Sequence, residues 1–282
     1  MSTNLGAYLR GVGLWTPAYA NLQAWVAAGM PAEFSGGDPP ASAARPSAEL
    51  LHPRLRRRTS VLTRATVTAL EAATQQGGAT LDDVRLVLVS SFGEIQTTVD
   101  LLAQLGESQG PVSPTKFHNS VHNTATGYMS IASGNHREAT ALAGGPHNLE
   151  IGALELLAGL RIDGGDAVLL IAEERIPSPF DRADGDPTFA VALHFGVEPA
   201  RLRHPSSLDL RAQLEPTSSA GRPVAAGGQL SSMLPPLVAL LRAIVGLSMS
   251  GSERPQASAV ALTSASDPAV EHGFTLNLEP SP

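Results

Sequence analysis

The chain has 282 residues, of which 43% are apolar, and a formal net charge of −7 at pH 7. This length and apolar content allow a large hydrophobic core, which excludes a chain that is disordered throughout. Cysteine is absent, which excludes disulfides, thiolate metal sites and a cysteine nucleophile. Lys116 is the only lysine, and a chain without a broad cationic surface is not expected to bind nucleic acid.

The apolar runs of the sequence are too short to span a bilayer. The longest lie at residues 84–90 and 167–172, and no basic and then apolar leader follows Met1. The sequence therefore predicts a cytoplasmic protein without a membrane partner.

Hydrophobic periodicity over the first 180 residues predicts strands and helices that alternate along the chain. Gly77 and Gly78 are expected to end a helix, and Ser113-Pro114-Thr115 to begin one. The predicted elements, in chain order, are a strand Leu5–Leu14, a short helix at Trp25, a surface loop Ser35–Pro46, a helix Ser60–Gln75, a strand Arg85–Ser91, a helix ending at Leu105, a helix Phe117–Ser133, a short apolar stretch Ala139–Ala143, a helix Asn148–Arg161 and a strand Ala167–Ala172. Continuously apolar strands between helices predict a sheet covered by helices on both faces.

The last third of the chain is less regular. Its predicted elements are strands at Thr188–Phe195 and Ser207–Leu214, a loop at Thr217–Gly228, a helix at Leu230–Leu247 that contains two prolines, and closing strands at Ala257–Thr263 and Gly273–Leu278. No repeat of short fixed period is present.

One basic cluster stands out in this acidic chain. It consists of Arg54, Arg56, Arg57 and Arg58, at the start of a helix-like segment. Such a cluster can meet an acidic carrier protein or lie in solvent, and the solvated face is the expected interpretation.

Three stretches carry a resemblance to a known family. They are SPTKFHNSVHNTATGYMSIASG at residues 113–134, the segment Ala139–Gly145 with the helix after it, and GDAVLLIAEE at residues 165–174. In order and spacing, over residues 56–174, they resemble the ketoacyl synthase branch of the thiolase superfamily. The run that includes Ser-Pro-Thr and Phe-His-Asn-Ser-Val-His-Asn is most similar to short, cysteine-free chain length factors beside aryl polyene and related gene clusters.

The resemblance implies a fold and a mode of assembly. The expected fold is an α/β, thiolase-like layered fold with mixed sheets covered by helices, in one domain over residues 1–282. Residues 1–180 would correspond to the N-terminal half of a ketoacyl synthase, and residues 181–282 to a reduced C-terminal half. A dimer through residues 117–134 is expected, either a homodimer or a heterodimer with a cysteine-containing ketoacyl synthase, and an acyl carrier protein is a further candidate partner. The residues implied at the acyl channel and the dimer interface are Phe117, His118, Asn119, His122, Asn123 and Gly127.

The departures from the family decide the predicted function. Active synthases carry a cysteine at a helix N-terminus, where backbone N–H groups favour the thiolate. The equivalent position here falls near Gly144, within residues 142–146, and Gly144, Gly145 and Pro146 offer no nucleophile. The C-terminal part also lacks the two histidine-containing, glycine-rich motifs of the synthases. The prediction is a subunit without condensing activity and without a cofactor, which helps to set the cavity that measures acyl length.

Other chemistry has weaker support in the sequence. His118 and His122 would share a helix face, but a zinc site needs a third ligand, so hydrogen bonding is favoured over metal binding. No Gly-x-Ser-x-Gly elbow frames Ser120, which lies close to His122. Glu94 would be a general base only if buried, whereas a loop carboxylate is usually solvated.

His147, at a helix start, is the first residue to test for activity, although an exposed first-turn histidine is the plainer interpretation. Two alternative functions stay open. One is an enzyme of another acyl-thioester reaction, a hydrolase or an acyltransferase. The other is a purely structural homodimer.

Overall fold

The computed structural model describes residues 5–32, 34, 45–107, 111–181, 186–199, 208–218, 232–249, 257–262 and 272–281. The strands are β1 Leu5–Trp15, β2 Arg85–Val89, β3 Ala139–Leu142, β4 Asp166–Glu173, β5 Phe189–Gly196, β6 Leu210–Ser218, β7 Ser258–Ala261 and β8 His272–Pro280. The helices are α1 Leu22–Ala27, α2 Pro53–Arg56, α3 Val61–Gly77, α4 Ile95–Gly106, α5 Pro114–Asn119, α6 Thr124–Ser133, α7 Asn148–Asp163 and α8 Leu234–Met249. A short 3-10 turn, Gly145–His147, precedes α7.

The described strands form one mixed sheet. Its order is β3-β2-β4-β5-β1-β6-β8-β7. The strands β3, β2 and β4 are parallel, and the other pairs are antiparallel. The predicted layered α/β arrangement is thus confirmed, with β6, β8 and β7 extending the sheet beyond β1.

Helices cover both faces of this sheet. One hydrophobic core lies between the sheet and α1, α7 and α8. A second core lies on the opposite face, where α3 and α6 pack. Val87 and Val89 of β2 belong to the first core, and Leu86 and Leu88 to the second. This alternation follows from the two-residue period of a strand, whose successive side chains point to opposite faces.

The helix α3 shows how local signals set an element's ends. The side chain of Ser60 accepts a hydrogen bond from the N–H of Thr63, and Gly78 ends the helix at φ +69°. Glycine has no Cβ atom and adopts this left-handed conformation without strain. The helix predicted at Ser60–Gln75, with its glycine stop, is therefore confirmed.

Two glycines of β1 let α3 approach the sheet closely. A Cβ atom added at Gly13 would lie 1.9 Å from the carbonyl oxygen of Ala69, and one at Gly11 would lie 2.0 Å from that of Ala73. Both obstacles are backbone atoms in the middle of α3, so a side chain at either glycine would force the whole helix outward.

We expect Gly13→Ala to lower the free energy of unfolding by about 3 kcal/mol, because overpacking against backbone cannot be relieved by a rotamer change. The measurement is urea denaturation followed by far-UV circular dichroism. Gly106→Ala is the control, since Gly106 is helical and no atom lies within 4 Å of its added Cβ. A loss at Gly13 no larger than at Gly106 would show that α3 is free to move away from β1.

A buried cation lies at an irregularity of β1. The register with β5 shifts between Leu9 and Gly11, and Arg10 at this β-bulge is only 1% exposed. Its guanidinium forms an ion pair with Asp166, and its Nε donates to the carbonyl oxygen of Glu198 at 3.0 Å. Bulges re-aim a side chain in this way, and this one sends a charged group into the protein.

The predicted single helix Phe117–Ser133 is wrong. The chain forms α5 and α6 instead, with a break at residues 120–123. The hydroxyl of Thr124 donates to the carbonyl oxygens of His118 and Val121, at 3.1 and 2.7 Å. Threonine hydroxyls compete with helical hydrogen bonds in this way, so the carbonyl of His118 is satisfied without a continuing helix.

Several other predictions meet the structure with small changes. The helix predicted at Leu230–Leu247 begins at Leu234, so its two prolines lie in the first turn, where their missing N–H groups cost nothing. In the loop predicted at Ser35–Pro46, residues 35–44 lie outside the described residues, as do residues 219–228 of the loop predicted at Thr217–Gly228.

Within the described part of the chain, no helix is long and apolar enough to cross a membrane.

Candidate functional site

The candidate site lies where the parallel strands end and α7 begins. The carboxyl ends of β2, β3 and β4 meet at one edge of the sheet. The chain leaves β3 at Leu142 and turns through Gly144–His147, called the 144–147 turn below, into α7. The carboxyl edge of parallel strands is where α/β proteins usually place their sites, and the position predicted as equivalent to the nucleophile lies in this turn.

Gly144, Gly145 and Pro146 present no nucleophile, and the turn is held by the helix that follows it. The N–H of Gly144 donates to Oδ1 of Asn148 at 2.6 Å. Gly144 has φ −118°, which any residue can adopt. A Cβ atom added there would lie 2.4 Å from Cδ1 of Ile151, so the tip of Ile151 occupies the space of a side chain at position 144.

Glu173, the last residue of β4, connects this turn to the end of β2. Its Oε1 accepts hydrogen bonds from the N–H of Ser91 at 2.6 Å and from Nδ2 of Asn148 at 3.3 Å. Its Oε2 accepts from the hydroxyl of Ser90 at 3.2 Å. Nδ2 of Asn148 also donates to the hydroxyl of Ser91 at 3.1 Å. Three loops at the edge of the sheet are thus tied together through one carboxyl group.

Burial dominates the electrostatics of Glu173. The residue is 5% exposed, and desolvation raises the pKa of its carboxyl group to about 7, although the hydrogen bonds from Ser91 and Ser90 lower it. The negative charge of Asp186 also raises this pKa. A carboxyl group with this pKa changes its charge near neutral pH.

Two further acidic residues, Glu94 before α4 and Glu174 after β4, lie close to the start of α4. Glu94 is 2% exposed and accepts hydrogen bonds from Ser60 and Thr63 at 2.9 and 2.6 Å. Burial raises the pKa of Glu94. Burial likewise raises the pKa of Glu174 to about 7, and the charge of Glu94 adds to this shift. The expectation that Glu94 is solvated is therefore wrong, because the loop that carries it folds against α3.

His147 lies at the start of α7 beside a buried carboxylate. Its Nδ1 is 2.8 Å from Oε2 of Glu150, and the His147 side chain is 33% exposed against 7% for that of Glu150. The N–H of Phe274 donates to Oε1 of Glu150 at 3.0 Å. The histidine is thus half-buried and oriented by an acid, rather than a plainly exposed first-turn residue.

The residues predicted at the channel and the dimer interface lie on α5, α6 and the break between them. Phe117 is 64% exposed and Ile131 is 70% exposed. Asn119 joins this region to the arginine cluster, because its Nδ2 donates to the carbonyl oxygen of Arg58 at 2.7 Å while its Oδ1 accepts from the hydroxyl of Tyr128 at 2.9 Å. Asn123 and Gly127 are exposed on α6 and at its start.

The two histidines of this region do not form a pair. His118 lies on α5 with its ring 5.9 Å from that of Tyr128. His122 lies in the break, and its Nε2 donates to the carbonyl oxygen of Ser90 at 2.9 Å. The expectation that both share one helix face is wrong, because the helix ends between them. Among the described residues, no cluster of three or more acidic or histidine side chains could hold a metal ion.

Ser120 does not combine with His122 as a hydrolase would require. Its hydroxyl donates to the carbonyl oxygen of Phe117 at 2.8 Å, whereas His122 bonds to Ser90. Their closeness in sequence thus creates no nucleophile and base.

Sequence reasoning missed the roles of Glu173, Asn148 and Ser91. In the sequence Glu173 stands out only as an acidic residue after a strand, and Asn148 only as a helix start. A signal was present, because polar residues directly follow the apolar runs of β2 and β4, and parallel strands bring such ends together.

Comparison with known proteins identifies a matching family. The profile described as beta-ketoacyl synthase, N-terminal domain, matches residues 31–254. No curated protein matches the chain.

Solved structures of synthase complexes share the fold. The ketosynthase ApeO in complex with its chain length factor ApeC from Xenorhabdus doucetiae is similar with a TM-score of 0.66 and 18% identity, over 97% of this chain and 98% of that one. The ishigamide ketosynthase/chain length factor is similar with a TM-score of 0.71 and 14% identity, over 98% and 99%. A type II polyketide synthase acyl carrier protein in complex with its ketosynthase is similar with a TM-score of 0.64 and 14% identity, over 98% of this chain and 99% of that one. The predicted thiolase-like fold is confirmed.

Proposed function

Because the chain belongs to the family of the beta-ketoacyl synthase N-terminal domain, we propose that it is a non-catalytic subunit of the chain length factor type. It would pair with a cysteine-bearing ketoacyl synthase in polyketide or aryl polyene biosynthesis and help to fix the length of the acyl product. In this proposal residues 1–282 form one thiolase-like domain whose residues 181–282 are a reduced C-terminal half, and the complex acts in the cytoplasm.

The 144–147 turn carries this proposal. A condensing subunit needs a thiolate at the start of the helix that follows β3. In this chain the N–H of Gly144 is bonded to Asn148, Ile151 fills the space beside Gly144, and cysteine is absent. The subunit can shape a cavity at this position, but Gly144, Gly145 and Pro146 have no group that could hold an acyl chain covalently.

Two features of the surface support pairing with a synthase. β3 is the outermost strand of the described sheet and pairs only with β2, so its other edge can accept a further strand. Exposed apolar side chains lie nearby on the α5–α6 face, defined as Phe117, Val121 and Ile131, and α6 contacts β3. An edge strand beside exposed apolar residues is suited to a permanent partner.

Co-expression with a cysteine-bearing synthase tests the pairing. We expect the two chains to co-elute in size-exclusion chromatography, and the double substitution Phe117→Glu with Ile131→Glu to weaken the complex about thirtyfold or more, because buried aromatic anchors dominate interface energies. Ile162→Glu is the matched control, since Ile162 is 80% exposed at the far end of α7. The acyl length of the product, measured by mass spectrometry, should shift when this chain is omitted.

The proposal fails if the wild-type chain never co-elutes with the synthase and its omission leaves product length unchanged. The same outcome would favour the purely structural homodimer. If Ile162→Glu abolished the complex while the double substitution did not, the partner would bind at the end of α7 rather than at the α5–α6 face.

A second candidate function, thioester hydrolysis, is favoured by the His147–Glu150 pair. Glu150 is buried, is fixed by the N–H of Phe274 and lies 2.8 Å from the imidazole. A histidine oriented by a carboxylate is the arrangement of a general base. In such a reaction His147 takes a proton from water, the water oxygen bonds to the thioester carbonyl carbon, the carbon–sulfur bond breaks, and the leaving thiolate takes up the proton.

Release of free thiol from acyl-N-acetylcysteamine thioesters tests this activity. If the pair acts as a base, His147→Ala should lower the rate by about a hundredfold or more, and Glu150→Gln should lower it as well. His136→Ala is the control, because His136 is exposed on the segment before β3. A wild-type rate equal to that of buffer would exclude the hydrolase.

A further inference from the structure

Glu173 is placed to control the 144–147 turn without touching it. The turn is fixed by the hydrogen bond from the N–H of Gly144 to Oδ1 of Asn148. The other end of the same amide, Nδ2, donates to Glu173 and to the hydroxyl of Ser91. Because an amide group is rigid and planar, holding Nδ2 fixes the direction of Oδ1 and therefore the place of Gly144.

We propose that Glu173 is a positioning residue that holds the 144–147 turn through Asn148 and releases it when its carboxyl group ionises. The positioning role goes beyond the proposed function, and only its effect on product length rests on that function. The turn lies at the edge where an acyl chain would be excluded, so release of the turn would admit longer chains.

A neutral carboxyl group at Glu173 can keep the contacts of the closed turn, although the hydrogen bonds that it accepts favour the ionised form and only its burial opposes that form. One oxygen accepts from the N–H of Ser91 and from Asn148, while the other lies 3.2 Å from the hydroxyl of Ser90. The Ser90 oxygen also accepts from the N–H of Gly93 at 2.9 Å. A serine oxygen has two lone pairs, so a protonated Glu173 can donate to Ser90 while its other oxygen still accepts from Ser91 and Asn148.

Ionisation changes the balance between the closed and the open arrangement. A buried carboxylate loses the hydration that water would supply, and this cost falls away if the hydrogen bonds open and water enters. Among the titratable groups at this edge of the sheet, Asp186 acts on Glu173 through its charge, and His122 bonds to the carbonyl oxygen of Ser90. The others are Glu174, which follows Glu173 in the chain, Glu94 at the start of α4, and His147 and Glu150 at the start of α7. The negative charge of Asp186 further disfavours ionisation of Glu173.

Amide hydrogen exchange at Gly144 tests the positioning role directly in the intact chain. After correction for the intrinsic pH dependence of exchange, the opening equilibrium at Gly144 should rise about tenfold between pH 6 and pH 8, as linkage to a carboxyl group that titrates near 7 when closed requires. Glu173→Gln should abolish this pH dependence, because an amide keeps the same contacts and cannot ionise. Glu173→Ala should open the turn at both pH values by about tenfold or more.

Two further variants make the result decisive. Asn148→Ala breaks the connection one step later and should reproduce the effect of Glu173→Ala, which keeps the test valid if one variant folds poorly. Glu174→Gln is the matched control, since Glu174 bonds to the N–H of Gln96 on α4, and it should leave exchange at Gly144 unchanged. Equal exchange at Gly144 in wild type and Glu173→Ala, or a wild-type opening equilibrium that is the same at both pH values, would overturn the proposal.

The product of the complex with a synthase gives the second readout. Longer acyl products are expected from Glu173→Ala than from Glu173→Gln. If Gly144 behaves as described while product length stays constant, the positioning role stands and the chain-length function fails. If Gly144 does not respond, the positioning role fails whatever the product.

Discussion

Urea denaturation is expected to give a higher free energy of unfolding at pH 5 than at pH 8. The pKa of Glu173 is about 7 in the folded chain, against an ordinary value of 4.5. Between these values the folded chain binds more protons than the unfolded chain, so stability falls as pH rises. The full shift in the pKa of Glu173 corresponds to a loss of at most about 3 kcal/mol in the free energy of unfolding. The raised pKa of the partly buried Glu174 lowers stability in the same direction as pH rises.

Glu173→Gln should remove most of this difference. It should raise the free energy of unfolding by about 2 kcal/mol at pH 8 and by less than about 1 kcal/mol at pH 5, where the carboxyl group of the folded wild-type chain is neutral. Glu107→Gln, at the exposed end of α4, is the comparison variant and should preserve the wild-type pH profile. Equal stability of the wild-type chain at both pH values would show that Glu173 is not desolvated in solution.

Arg10→Met is expected to lower the free energy of unfolding by about 3–5 kcal/mol. Methionine fills a similar volume but removes the guanidinium from the largely buried Asp166 and from the carbonyl oxygen of Glu198. Removing one partner of a buried ion pair is strongly destabilising, because the carboxylate of Asp166 loses the guanidinium in a place where water reaches it little. Urea or thermal denaturation at pH 7 measures the loss.

Arg211→Met provides the matched comparison on the same sheet. Arg211 pairs with Glu279 at 3.4 Å, and both side chains are more than 40% exposed. Exposed pairs contribute about 0.5 kcal/mol or less. Similar, small losses at Arg10 and Arg211 would mean that water reaches the bulge of β1.

The elements that could be predicted well from the sequence are those whose limits are set within a few residues. Ser60 and Gly78 cap α3 through their own side chain and backbone conformation, and β4 is a continuous apolar run. Such local preferences agree with the final fold, so they can be read without knowing it. The last third of the chain was harder to predict, because β6 and β8 acquire their limits from pairing with each other.

The candidate site was harder to predict, because its contacts are distant in sequence. Glu173 meets Ser91, which lies 82 positions earlier, and Asn148, which lies 25 positions earlier. Burial, which raises the pKa of Glu173, is likewise a property of the assembled core. The break between α5 and α6 escaped prediction for a different reason, since the competing hydroxyl of Thr124 lies inside an otherwise helical pattern.

The exposed position of Lys116 on α5 has a practical consequence. Apart from the α-amino group, it is the only primary amine of the chain, and it directly precedes Phe117. An amine-reactive fluorophore would therefore attach to one side chain beside the apolar residues of the α5–α6 face. Its anisotropy would report the arrival of a partner in real time, without any engineered label.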